Sequence, residues 1–334
     1  MDPAAALERI AYLLDRAREK SYRVRAYLRA AEVVKGLPSD ELADRIARGT
    51  LEELDGIGPK TASIVQEVAA TGTTAYLVKL EEETAVRVGG GDAIRAALRG
   101  DCHVHSTWSD GGAEIDVMAR AARDLGHEYM VLTDHSPRLT IANGLDRERL
   151  LRQLDVVAQV NEELAPFRLL SGIEVDILED GSLDQDDDIL ERLDVVVASV
   201  HSKLRMDGAE MTRRMATAVA NPHVDILGHC TGRIVVGRGR PPSDFDAELV
   251  FHACERFGTA VEINSRPERL DPPRPLLAIA IEMGCHFAID TDAHAPGQLE
   301  WQAYGCDRAA ELEVPAERVI NTWGADELLA WTSL

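Results

Sequence analysis

Beyond residue 100 the chain alternates short apolar runs with longer amphipathic stretches. The runs lie near residues 101 to 105, 129 to 133, 168 to 174, 194 to 200, 224 to 229, 259 to 264 and 286 to 291. They are rich in Val, Ile and Leu without a polar face, the pattern of strands covered on both sides. Between them Ile115 to Leu125, Arg147 to Leu164, Met211 to Ala220 and Asp246 to Phe257 carry apolar residues at helical spacing. Seven strand and helix units in roughly 230 residues predict a parallel α/β barrel rather than an open sheet.

The first eighty residues follow the helical period throughout. AALERIAYLLDRAREK and YRVRAYLRAAEVVKGLP read as two helices within residues 4 to 35, the second closed by Gly36 and Pro38. A third starts at Pro38-Ser39-Asp40, with Ser39 or Asp40 as its N-cap. In LEELDGIGPKTASIVQEV a short helix ends at Asp55, Gly56-Ile57-Gly58 turns, and Pro59 takes a first helical position. Ala62, Ile64 and Val65 supply the packing face of the helix that follows. Glycines permit close backbone approach, and the free amides of a helix start suit a phosphate. Gly56, Gly58 and Lys60 are therefore candidate contacts to a nucleic-acid backbone; the bland alternative is a turn joining two packed helices. EEETAVRVGGGDAIRAALRG, residues 81 to 100, has linker composition. The expected organisation is a helical domain at 1 to 80, a linker at 81 to 100 and a barrel at 101 to 334.

Composition sharpens this division. Residues 1 to 100 carry 15 Lys and Arg against 16 Asp and Glu, whereas the remaining 234 carry 21 against 42, so nearly all of the formal net charge of -22 belongs to the barrel. Such a surface repels nucleic acid unless cations or a less acidic neighbour offset it. No apolar run approaches the ~20 residues of a membrane span, and MDPAAALERI lacks the pattern of a signal sequence. The expectation is a cytoplasmic protein without a membrane partner. The five cysteines are scattered and include no C-x-x-C pair, which argues against a disulfide framework and a zinc ribbon. Cys102 and Cys230 neighbour candidate ligands, but all five read as small buried residues.

The chemistry concentrates at strand ends. In DCHVHSTWSDG, His103 and His105 are two apart in a strand and face the same way, and Asp110 follows after a short turn. Similar groups recur after later apolar runs: Asp134 and His135, Glu174, His201, His229, then Asp292 with His294. All fall at the C-terminal end of a strand, the barrel face on which active sites are built. Asp134 and Asp290 read as groups that orient histidines. His127, His223, His252 and His286 fall before or between strands and read as surface or packing residues. Nitrogen and oxygen donors without thiolate suit Zn, Mn or Fe. Arg233, Lys203 and Arg266 are candidate phosphate grips, each with an alternative as a rim salt-bridge partner.

HVHSTWSDG, LTDHS, GIEVDIL, ASVHS, DILGH and DTDAH, in this order, closely resemble the PHP family, named for its polymerase and histidinol phosphatase members. The resemblance spans residues 101 to about 325 and implies a distorted (βα)7 TIM-like barrel with up to three divalent ions. Carried over by motif, His103, His105, Glu174 and Asp292 hold the first metal. Glu174 bridges to a second held by His201 and His229, and Asp110, His135 and His294 hold the third. Glu174 and Arg233 are the expected catalytic residues. Cys230 stands where DILGH is commonly followed by proline.

Residues 4 to 80 are similar to the small helix-hairpin-helix domain of family X DNA polymerases. The lyase lysine of some members falls at Ile64, so lyase activity is not expected, while Lys60 remains available for phosphate. In the bacterial enzymes a nucleotidyl-transfer palm separates the two resembling parts. Here about twenty residues stand in its place, with no palm aspartates, so polymerisation is not expected. These resemblances imply a metal-dependent phosphoesterase on DNA ends, a 3'-5' exonuclease, 3'-phosphatase or abasic-site nuclease in DNA repair. The alternatives are a small-molecule phosphatase of the histidinol-phosphate type, which the acidic barrel suits, and a non-catalytic DNA-binding scaffold.

Overall fold

The computed structural model describes residues 1–87 and 89–333. Val88, in the expected linker, and Leu334, at the end of the expected barrel domain, lie outside the described residues. The chain forms two compact units, Met1–Val86 with Ala295–Gln298, and Arg87–His294 with Leu299–Leu334.

The first unit contains five helices: α1 (Pro3–Arg16), α2 (Ser21–Gly36), α3 (Ser39–Arg48), α4 (Pro59–Thr71) and α5 (Ala75–Glu83). Asp2 caps α1 by accepting the Ala5 amide at 3.1 Å, with Pro3 opening the helix. The buried stripe Leu7, Ile10, Leu13 and Leu14 of α1 packs with Val24, Tyr27 and Ala31 of α2 and with Ile64, Val65 and Val68 of α4 in a single core. Ile64 is thus a core residue. The cap of α3 is Pro38, not Ser39 or Asp40. Its fixed φ of -57° and extended ψ supply the backbone shape of a cap without a side-chain bond. The short helix expected before Asp55 is one 3₁₀ turn, Leu51–Glu53.

The second unit is an α/β barrel. Strands β1 (Gly100–Val104), β2 (Tyr129–Leu132), β3 (Arg168–Asp176), β4 (Val195–Ser199), β5 (Ile226–Leu227), β6 (Ala260–Asn264) and β7 (Phe287–Asp290) are parallel and neighbour one another in chain order. A bridge between Val104 and Ala293 nearly closes the ring, and the His105 amide donates to the Ala293 carbonyl at 2.8 Å. The barrel is irregular where the β1–β2 register shifts and where β5 shrinks to two residues. The helices are α6 (Asp92–Ala97), α7 (Ile115–Asp124), α8 (Arg147–Leu164), α9 (Asp187–Leu190), α10 (Gly208–Val219), α11 (Ala247–Phe257), α12 (Arg274–Glu282), α13 (Gln302–Glu311) and α14 (Ala325–Thr332).

Alternation along the strands places the site. Val131, Leu170, Val195, Val197, Ile226, Ala260 and Ala288 form one apolar cluster with Ile320 and Leu328. Their neighbours Met130, Leu169, Val196, Leu227, Val261 and Ile289 join clusters that include the surrounding helices. Two or four residues further along the first face, side chains turn ionisable: Ala260 leads to Glu262, Leu170 to Glu174, Val197 to His201 and Ala288 to Asp292. One strand face therefore supplies both an apolar floor and a polar mouth.

The glycine run read as a linker is docked. The amides of Gly89, Gly90 and Gly91 donate to the Asp307 carboxylate of α13 at 2.7, 3.1 and 2.9 Å. A Cβ at Gly91 would lie 2.5 Å from the Cys306 backbone, so glycine here serves close approach rather than looseness. Among the described residues no helix is long and apolar enough to cross a membrane. All five cysteines are free and buried.

Candidate metal centre

The centre is built around Glu174, at the mouth end of β3 and 1% exposed. Its Oε2 lies 3.3 Å from His103 Nε2, 3.5 Å from His105 Nε2 and 2.9 Å from His135 Nδ1. Its Oε1 lies 3.2 Å from His201 Nε2 and 2.9 Å from His229 Nε2. Asp292 Oδ1 is 3.6 Å from His105 Nε2. Asp110 Oδ1 is 3.6 Å from His135 Nε2 and 3.3 Å from His294 Nε2. All nine ligand-type residues singled out in the sequence thus converge on one pocket.

These spacings fit metal ligation. Nitrogen and oxygen donors bound at about 2.0–2.2 Å to a shared ion stand roughly 3–3.5 Å apart. Several of the buried donor atoms, among them His103 Nε2, His105 Nε2, His135 Nδ1, His201 Nε2 and both oxygens of Glu174, make no hydrogen bond. Unsatisfied buried polar atoms are costly, and here they are aimed at one another's lone pairs. Three donor groups lie within 4.8 Å: His105, Asp110, His135 and His294; His103, His105 and Glu174; His135, Glu174 and His201. His105 thereby reaches the Asp110 group as well as Glu174.

Electrostatics bind the cluster to its carboxylate. Burial disfavours the charged form of Glu174, but His103, His201 and His135 outweigh it and hold the group well below the usual carboxylate range. Burial likewise opposes charge on His103, yet Glu174 and Glu262 raise it well above the ordinary histidine value. Burial, reinforced by His294 and His135, drives His105 well below that value and keeps it neutral.

The groups that orient the histidines are not the two aspartates expected. Glu262 meets His103 Nδ1 at 2.6 Å and accepts the His229 amide at 2.5 Å; Asp176 meets His201 Nδ1 at 2.5 Å. Asp134 instead accepts from the Ser106 amide and hydroxyl, the Ser109 hydroxyl and Gln153 Nε2, fixing the loop that carries Asp110. Asp290 accepts the Cys102 amide and Asn321 Nδ2, tying β7 to β1. Asp134 is thus taken up by the Ser106–Ser109 loop and Gln153, and Asp290 by the β1 backbone and Asn321, so neither bonds an imidazole.

A cavity of about 280 Å³ opens over the cluster, walled in part by Leu139, Ile234, Arg266 and Arg269. Arg266 Nη1 donates to Asp292 Oδ1 at 3.1 Å and lies 3.0 Å from His294 Nδ1. Arg269 was not singled out in the sequence. Its Nε donates to Asp292 Oδ2 at 3.1 Å, while its buried Nη1 has no hydrogen-bond partner. Arg233 does not reach this cavity: its guanidinium donates to the backbone carbonyls of Arg269, at 2.9 Å, and Leu270. The loop after β6 brings these carbonyls to Arg233, and its guanidinium is spent on them. Lys203, exposed with a φ of 54°, is not among the residues lining the cavity.

Of the remaining histidines, His286 packs beside Trp323 and Trp331, His252 is exposed on α11, His223 follows α10, and His127 is buried before β2. Cys102 and Cys230 face Asn321 and Asp271, not the donor cluster.

In the first unit Gly56 has a φ of +98°, and an added Cβ would lie 2.9 Å from Arg29 Nε. Gly58 caps α4, its amide donating to Thr61 Oγ1 at 3.0 Å, and a Cβ there would meet open space. The Lys60 ammonium sits 3.7 Å from the centre of the Tyr76 ring. Gly56, Gly58 and Lys60 line one shallow cavity with Tyr22, Arg23 and Tyr27.

Two family matches cover the two parts: residues 1–74 match the helix-hairpin-helix domain, and residues 101–266 match the PHP domain. Asp292 and His294 lie beyond the second match. The DNA polymerase/3'-5' exonuclease PolX of Bacillus subtilis is 41% identical over 224 residues, 67% of this chain and 39% of that protein. This chain therefore spans about two-fifths of the length of that relative. A probable phosphatase of Thermoanaerobacter sp. (strain X514) is 33% identical over 206 residues, 58% of this chain and 78% of its own length. Another, from Caldanaerobacter subterraneus, is 29% identical over 236 residues, covering 66% and 86%.

Proposed function

Because this chain belongs to the PHP domain family, we propose that it is a metal-dependent hydrolase of phosphate esters that acts on DNA ends, in DNA repair. The observation that carries the DNA reading is the pairing in one chain of a helix-hairpin-helix domain at residues 1–74 with a PHP barrel bearing nine converging ligands. Trimming from the 3' end is the favoured activity, since the Bacillus subtilis relative is named for a 3'-5' exonuclease; removal of a 3' phosphate and incision at abasic sites use the same chemistry. The working division is residues 1–80 for DNA, 81–100 as connection and 101–334 as the hydrolase.

His103, His105, Glu174 and Asp292 would hold one ion, Glu174, His201 and His229 a second, and Asp110, His135 and His294 a third, with Zn, Mn or Fe suited to these donors. Bound ions supply a low-pKa water and offset charge on the phosphoryl oxygens. Glu262 and Asp176 hold His103 and His201 in the tautomers that present Nε2 to the centre. Arg269 offers its unpartnered Nη1, and Arg266 its guanidinium, to a phosphoryl oxygen entering the cavity. In the first unit the start of α4 and Lys60 take a backbone phosphate of the DNA.

The acidic barrel and the likeness to probable phosphatases favour a second reading, a compact small-molecule monoester as substrate. Metal analysis and a phosphoesterase panel on wild type and His103→Ala decide. The first reading expects bound metal and 3'-end trimming of labelled DNA, both lost in the variant. Rapid turnover of histidinol phosphate with DNA untouched would establish the second. Metal-free protein inert on every ester would leave a DNA-binding scaffold.

A further inference from the structure

Removed from the metal centre, three arginines converge on a second cavity of about 290 Å³ within the barrel unit: Arg233, Arg274 and Arg308, walled by Pro267, Leu270 and Tyr304. This is an unusual gathering of positive charge in a half that carries 21 Lys and Arg against 42 Asp and Glu. Arg308 is 6% exposed and donates only to backbone, to the Asp271 carbonyl at 3.4 Å and to the Pro272 carbonyl. Arg233 spends Nε and Nη2 on carbonyls, and among the described residues no hydrogen bond takes up Nη1. Neither guanidinium is ion-paired with a carboxylate among the described residues. Arg274 alone is paired, with exposed Glu311 at 2.6 Å. Asp307, the carboxylate on the cavity wall, is turned to the amides of Gly89, Gly90 and Gly91.

Buried guanidinium charge in excess of its counter-charge is costly, and clustering it adds repulsion. The strain is visible in Arg308, lowered to about 10 by burial and by neighbouring Arg233, and in Arg233, lowered by burial. Buried Asp271 attracts both, and also accepts from the Thr231 amide and hydroxyl and the Arg233 amide, so one carboxylate charge is shared between two guanidinium charges. An anion with several acceptor oxygens would relieve both charges at once, and guanidinium forks match phosphate geometry.

We propose that this cavity is a phosphate-binding site distinct from the metal centre. One loop walls both cavities: Pro267 and Leu270 line this one, Arg266 and Arg269 the other. The occupant is a phosphate group, either a backbone phosphate of the strand whose end lies in the metal centre or that of a free phosphorylated molecule. The strand source rests on the DNA activity proposed above; the anion site does not.

The test uses full-length protein, with Arg274→Ala and Arg233→Met, neither in the metal cavity. In metal-free protein, inorganic phosphate binding measured by calorimetry is expected to weaken about tenfold in each variant, the scale of one charged hydrogen-bond pair. With metal restored, a strand occupant means that Arg274→Ala raises KM for a 3'-tailed oligonucleotide about tenfold and leaves kcat, and the KM for p-nitrophenyl phosphate, unchanged. Weakened phosphate binding with unchanged oligonucleotide KM assigns the site to a free phosphorylated molecule. Should Arg233→Met fail to fold, exposed Arg274→Ala carries the reading. Unchanged phosphate binding in variants that melt like wild type overturns the proposal. A wild type that hydrolyses no ester overturns the activity instead, while the metal-free titration still reads this site.

Discussion

The Glu262 carboxylate lies 2.6 Å from Nδ1 of His103, and this contact leaves Nε2 of the same ring facing Glu174. Glu262 touches no other part of the donor cluster except through the His229 amide. Glu262→Gln retains size but loses the charge that favours this orientation. Its metal affinity, read by competition with a chromophoric chelator, should fall about 10–100-fold. An unchanged affinity would show that His103 is fixed by packing alone.

Among the described residues Glu174 is the one carboxylate within 3.5 Å of five histidines. Binding of Mn or Zn to the native fold should raise its stability by about 2.7 kcal/mol at a hundredfold excess over Kd, seen as a rise in Tm that a chelator reverses. Glu174→Ala should lose most of that rise together with hydrolysis. A variant that keeps the full metal-induced rise would place the ions elsewhere.

Two glycines of the hairpin separate folding from binding. Gly56→Val forces a side chain onto a φ of +98° and against Arg29, so it should lower Tm. Gly58→Val adds atoms in open space; it should cost only the modest Tm of a poorer N-cap, less than Gly56→Val, yet bind DNA more weakly, by blocking close approach of the backbone. Fluorescence anisotropy across a salt series checks this, and equal affinities for Gly58→Val and wild type would remove the hairpin from the interface.

Asp225 gives the pH dependence a definite sign. Burial pushes its carboxyl up to about 8, outweighing the Val196 amide it accepts at 2.7 Å. An unfolded aspartate titrates near about 3.9, so the native state binds this proton more tightly. Its contribution is full below about pH 4 and is lost as pH rises to about 8. Asp225→Asn keeps an acceptor and never ionises. Its Tm advantage over wild type should therefore be absent near pH 4, widen to pH 8 and then level off. A constant difference across that range would contradict the assignment.

Much of the architecture was legible because the barrel repeats one rule, a doubly covered strand that ends in a polar side chain. Seven strands and four long helices lie within a few residues of the sequence reading, β5 being the shortest. The ligands were found because each follows an apolar run. Glu262 was missed because it lies inside the run Ala260–Asn264, where a glutamate breaks the expected composition; the two-residue period that puts it below Asn264 was the available signal. Arg269 and the diversion of Arg233 depend on the path of the loop after β6, which no local pattern encodes. The three glycines at 89–91 read as a linker because composition cannot distinguish a connecting segment from the need for a bare backbone at Gly91 against Cys306.

The Val104–Ala293 bridge also sets an order of events. His105 and Asp292 are 187 positions apart yet meet at the seam where the first strand joins the extension of the last. During synthesis the early histidines emerge long before their partner carboxylate leaves the ribosome. A nascent chain can therefore offer only part of the ligand set, and the complete nine-ligand centre must await the final staves. Loading of the centre is in this sense a report that translation of the barrel has finished.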